Sequence, residues 1–171
     1  MKQRGVTLIQ MLSALAVAIL LTQLGMPAYA RLSDDLHRAA AARDLAQALR
    51  SARSHAVLQS QRVLVQALDG HWGNGWRVVL EHNQQVLREQ RLSRPLKITS
   101  NRGGQLKFSA QGVPLGPNNN WLASTMEVCE RLTATSQYQV VMASTGRVRV
   151  EMGEPKNSQC KNTSNRSARS L

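Results

Sequence analysis

A chain of 171 residues has room for one modest domain with appendages and none for a string of large ones. Aromatic residues are only 4% of the chain, so any core is built mainly from Val, Leu, Ile, Ala and Met. With 22 basic and 10 acidic side chains (net +12), the surface either attracts polyanions, such as nucleic acid, anionic lipid or lipopolysaccharide, or simply stays well solvated.

The excess is uneven. Residues 1–90 hold ten basic and six acidic side chains, net +4, whereas residues 91–171 hold twelve and four, net +8. The chain opens with Lys2 and Arg4, then Gly5, and carries no further charge until Arg31. The uncharged run from Val6 to Ala30 is longer than the apolar run of an ordinary secretory signal and long enough to span a bilayer as a helix. Lys2 and Arg4 would hold the N-terminus in the cytoplasm and send the rest across. "PAYA" at 27–30 also reads as a small-residue cleavage site, so a removed signal peptide is an alternative.

The stretch "RGVTLIQML" resembles the type IV prepilin signal: a short basic leader, a glycine, then an apolar segment that stays on the mature protein. Thr7, Leu8, Ile9 and Leu12 match the pattern. The resemblance implies a prepilin peptidase cut between Gly5 and Val6. Pro27 stands where many pilins carry a helix-kinking proline, and Gly25 weakens the helix beside it. The family usually has glutamate where this chain has Gln10, which can hydrogen-bond but cannot neutralise a neighbouring subunit's terminal amine. The departure reads either as the mark of a minor subunit near a filament tip or as a tolerated variation.

Residues 31–58 continue as helix. Asp34 and Asp35 favour a helix start, and Asp34 precedes Arg38 by four. Ala42, Leu45, Leu49, Ala52 and Ala56 recur at helical spacing and form one apolar stripe. Arg43, Arg50 and Arg53 fall largely off it, which predicts a solvated face.

From about Gln61 the period changes. Residues 62–68, 76–82, 85–92, 96–99, 106–109, 137–144 and 147–152 read as short strands, divided by "DGHWGNG", "HNQ" and Gly/Pro punctuation. Segments this close together pair as antiparallel hairpins. "GPNNNW" (116–121) is a loop, and the tail from Glu154 reads as a mobile polar arm apart from Cys160. The fold class is therefore α+β: a long N-terminal helix, membrane-spanning in its first half, packed on an antiparallel β domain. The segments are a leader (1–5), a membrane or filament-core helix (6–30), an amphipathic helix (31–58), a β domain (59–153) and a basic tail (154–171).

"GNGWRVVLE", "LKFSAQGVP" and "STGRVRVE" extend the resemblance over nearly the whole chain, to the GspH/FimT group of minor pilins and pseudopilins. That resemblance implies a type IV pilin-like fold, inner-membrane storage with a periplasmic C-terminal domain, and incorporation among other major and minor pilins. In such a location Cys129 and Cys160 are expected to pair; the alternative is two free thiols. The bridge would close a loop of about 31 residues, worth roughly 3–4 kcal/mol in the chain-entropy model.

His37, His55, His71 and His82 lack metal-ligand spacing, and no nucleotide or nucleophile signature appears, so no cofactor, metal or catalytic residue is expected. The remaining feature is "TGRVRVEM". On a strand, Val148 and Val150 face one side and Arg147 and Arg149 the other, with like residues roughly 6.5–7 Å apart. Gly146 makes the turn. Paired guanidinium forks suit phosphates, although an outward charged face on an edge strand is the plainer explanation. A G-R-x-R motif near the C-terminus is associated with the FimT branch, whose resemblance implies DNA binding in natural transformation. The expected DNA contacts are Gly146, Arg147 and Arg149, supported by Lys156, Lys161, Arg166 and Arg169 in a tail rooted by the bridge close to the arginine pair. The alternative within the group is a structural pseudopilin or pilus-priming subunit without DNA binding, and outside it an exported basic protein with a cleaved signal.

Overall fold

The structure, a computed structural model, describes residues 8–116, 118–130, 135–155 and 158–160, leaving out the side chain of Leu24. Its first element is α1 (Leu8–Gln59), rich in Ala and Leu, and the helix assignment runs unbroken through Pro27. By contact density the chain divides at His37 into two compact units.

The first unit is helix alone. From Leu8 to Tyr29 its large apolar side chains are exposed, Leu8 at 77% and Tyr29 at 75%. Thr22 returns its hydroxyl to the Ile19 carbonyl at 2.8 Å, so it presents no stray donor on an otherwise apolar surface. At about 1.5 Å per residue this stretch is long enough to cross a bilayer.

The second unit begins with Arg38 and holds the rest of α1 with two antiparallel sheets. The first sheet contains β1 (Val63–Ala67), β2 (Gly75–Leu80), β3 (Val86–Arg91), β5 (Gln105–Phe108) and β6 (Pro114–Leu115), in the order β3-β2-β1-β5-β6. The second contains β4 (Lys97–Ser100), β7 (Ser124–Cys129), β8 (Ser136–Met142) and β9 (Val148–Met152), in the order β4-β7-β8-β9. The predicted strands are present to within a residue or two at each end. Two were not predicted: short β6, and β7, whose centre holds Glu127. The "DGHWGNG" turn contains two short 3-10 turns, and Trp72 there donates its indole N–H to the Gly103 carbonyl at 2.7 Å.

The predicted helix stripe is the centre of the core: Ala42, Leu45, Leu49, Ala52 and Ala56 are buried, with Ala46 and Ala48 widening it. They form one cluster with Val63, Val65, Trp76 and Phe108 of the first sheet and Met126, Val128, Val140 and Met142 of the second. Alanines on the helix let both sheets approach closely, and the large aromatics Trp72, Trp76 and Phe108 fill the remaining space. Alternation along β7, β8 and β9 then turns Glu127, Gln139, Arg149 and Glu151 to the outer face of the second sheet.

Candidate nucleic-acid interface

The β8–β9 turn is tight. The Gly146 N–H donates to the Ala143 carbonyl and the Ala143 N–H to the Arg147 carbonyl, each at 2.9 Å. Gly146 is buried with φ +80°, and a β-carbon there would lie 2.6 Å from the Gly112 carbonyl oxygen and 2.9 Å from Arg53 Nε. Gly112, in the β5–β6 turn, has φ +75°, and a β-carbon there would lie 2.7 Å from a Val57 methyl. Both turns thus need the left-handed conformation and also lack room for a side chain.

Two helix arginines hold these turns. Arg53 Nε donates to the Gly112 carbonyl at 3.1 Å, and Arg50 Nη2 donates to the Val148 carbonyl at 3.1 Å. Arg43 and Arg50 are exposed as expected, whereas Arg53 is only partly so. Arg50 and Arg53 are also tethers, because the Val148 carbonyl at the start of β9 and the Gly112 carbonyl in its turn face the helix there and charged donors satisfy them.

Beyond the clamped turn, Val148 is buried and Val150 packs against the core, while Arg149 is exposed on the edge strand and Arg147 is exposed immediately before it. The two arginines are not equivalent. Arg149 Nε pairs with the Glu151 carboxylate, two residues on along the same face. Arg147 has no ion-pair partner among the described residues. Both members of the Arg149–Glu151 pair are about half-exposed, and such pairs contribute only about 0–1 kcal/mol, so a phosphate can displace the carboxylate.

Cys129 and Cys160 have the geometry of a disulfide, with sulfurs 2.02 Å apart and Cα atoms 5.6 Å apart. The bridge roots the tail elsewhere than expected. Arg149 lies opposite Val141 and Val141 opposite Thr125, whereas Cys129 is at the far end of β7, four residues or roughly 13 Å along the strand. The expectation of a root close to the arginine pair followed from treating the strands as neighbours without their order. Residues Ser158–Cys160 cover the outer face at that far end. The Ser158 hydroxyl donates to Glu127 Oε2 at 2.9 Å and the Gln159 N–H at 3.1 Å, while Lys97 Nζ donates to the Cys160 carbonyl at 3.3 Å. These contacts bury Glu127 to 1% exposure. The tail is therefore not wholly a free arm. Lys156, Lys161, Arg166, Arg169, Gly5 and Val6 lie outside the described residues, and Gln10 is exposed in the first described turns of α1.

Among the described residues no group of His, Cys, Asp or Glu is arranged to hold a metal ion. The arrangement offers positive charge on a rigid backbone.

An exposed apolar helical stretch, and a compact unit in which the helix packs on two antiparallel sheets, together define a type IV pilin-type subunit. The chain belongs to the family described as "Type II transport protein GspH", whose model matches residues 41–146, well over half of its length. Its fold is that of the minor pilins and pseudopilins of the GspH/FimT type. Among solved structures it is similar to the type IV minor pilin FimU of Pseudomonas aeruginosa, at 22% identity and TM-score 0.60, over 74% of this chain and 98% of that one. A second crystal form of FimU gives 23% identity and TM-score 0.55, over 70% and 98%. The minor pseudopilin EpsH of the Vibrio cholerae type 2 secretion system gives 15% identity and TM-score 0.50, over 65% and 93%. No curated protein matches the sequence.

Proposed function

We propose that this minor pilin binds DNA without sequence preference, through the phosphate backbone, and serves DNA uptake in natural transformation. The observation that carries this reading is the clamped β8–β9 turn, which fixes Arg147 and Arg149 outward at an exposed edge strand. Guanidinium forks roughly 6.5–7 Å apart span about two base-pair steps along a DNA strand. The excess of +8 over residues 91–171 (twelve basic, four acidic) adds long-range attraction. Lys156, Lys161, Arg166 and Arg169 supply further phosphate contacts.

The subunit is stored in the inner membrane as a single-pass protein with its β domain in the periplasm. Prepilin peptidase removes residues 1–5, leaving Val6 first, and the exposed apolar side chains of Leu8–Tyr29 meet lipid and then other pilins. N-terminal sequencing of the native protein tests this part. A start near Arg31 would sink it.

DNA binding is tested with the full-length protein in detergent micelles, titrated with DNA over a salt series. Replacing Arg147 and Arg149 by Gln should weaken binding to every sequence alike and reduce the slope of log affinity against log salt by about 2. Binding indistinguishable from wild type refutes the site. One observation favours a second reading. Glu151 already occupies Arg149, as it would in a structural pseudopilin whose charge is incidental. That reading expects no DNA binding at moderate salt by wild type or variant.

A further inference from the structure

The loops at one end of the second sheet carry more than the β8–β9 turn. In the row that aligns Arg149 with Val141 and Thr125, Asn101 extends the line beyond Thr125, since its Oδ1 accepts the Thr125 N–H at 3.0 Å. Arg102 follows, is exposed, and donates Nε to the Ala123 carbonyl at 3.1 Å. Two residues before Ala123 stands Trp121, 76% exposed. Trp72 and Trp76, by contrast, are 4% and 1% exposed. Trp121 does not dangle. It forms a bridge to Leu115, and the next residue, Leu122, is buried and donates its N–H to the Pro114 carbonyl at 3.1 Å. An open cleft of about 540 Å³ adjoins it, lined by Asn120 and Leu122 on either side of the indole in sequence and by Arg102 and Lys107.

A lone exposed aromatic needs no explanation. This one is held out from an anchored backbone, and Arg102 is tied to the same segment through the Ala123 carbonyl. Cations for phosphates beside a π face for a base are the two components of a single-strand platform. Inside a duplex the bases are already stacked and paired, so an indole on the protein surface has little to gain from one.

We propose that Trp121 is a base-stacking platform, that Arg102 beside it supplies a phosphate contact, and that this surface takes single-stranded DNA in preference to duplex. This rests on the DNA-binding reading above. Arg102, Arg147 and Arg149 act on any phosphate backbone, and Trp121 acts only where a base is unpaired.

The test uses the full-length protein in detergent micelles, with oligothymidylate and a hairpin duplex as probes over a salt series. Trp121→Ala should weaken oligothymidylate binding roughly fivefold to a hundredfold, the span of measured base-aromatic stacking, while leaving the salt slope unchanged and moving duplex affinity less than about twofold. Trp121→Tyr keeps an aromatic face and should retain most of the affinity. Oligothymidylate should quench the fluorescence of wild type, because the other two indoles are buried. An unchanged thermal midpoint of the Ala variant establishes that it is folded. If wild type binds DNA and Trp121→Ala affects neither probe, or both equally, the platform is wrong and the phosphate site stands. If wild type binds neither probe, the DNA reading falls and takes the platform with it.

Discussion

Arg50 and Arg53 lie on the helix side of the β8–β9 turn, and Arg147 and Arg149 on its outer side. All four carry the same charge, yet they work in different ways. The inner pair spends its donors on the carbonyls of Val148 and Gly112. The outer pair projects from the edge of the sheet, with one member loosely held by Glu151. The difference teaches that charge alone does not mark a binding residue. A guanidinium that ties a distant segment to the helix belongs to the fold, and one that projects from a backbone fixed by others keeps donors for a ligand.

Substitutions at the turn would break or sharpen that contrast. The largest effect is expected for Gly146→Val. A β-branched residue at φ +80° is strained, and its β-carbon meets the Gly112 carbonyl. Destabilisation of about 3 kcal/mol or more should appear as a thermal midpoint lowered by roughly 10 °C. A midpoint near that of wild type would mean that the turn is not clamped. A smaller loss follows from Arg53→Met, which keeps most of the aliphatic stem and removes the donor to Gly112. About 1–3 kcal/mol is expected, read from the same melt. Least of all, Arg147→Gln with Arg149→Gln should leave stability within about 0.5 kcal/mol while changing DNA affinity and its salt slope. If the outer pair stabilises the fold as much as the inner pair does, the two are not distinct.

Much of this was legible from residue spacing. The helix stripe was, because 3.6 residues per turn puts Ala42, Leu45, Leu49, Ala52 and Ala56 on one line whatever they pack against. The valine–arginine alternation of β9 was legible for the same reason, with a period of two. β7 was not, because Glu127 interrupts its apolar reading, and the groups that make its burial tolerable arrive more than 30 residues later from Ser158 and Gln159. The tethers were hidden likewise. Arg53 and Arg50 meet carbonyls 59 and 98 positions away, and no local pattern announces a bare carbonyl in a distant turn. Trp121 did leave a signal, as a lone indole in a run of Gly, Pro and Asn. Its neighbourhood with Arg102 depended on a hydrogen bond from that arginine to the Ala123 carbonyl, 21 positions on.

The small cap that Ser158–Cys160 forms over β7 has an electrostatic side. It shields the one carboxylate at the centre of the outer sheet face, so a polyanion approaching that face does not meet the charge of Glu127. Stopping the chain before Ser158 would unmask that carboxylate two strands from Glu151, and the outer face that carries Arg149 would acquire a second acidic spot.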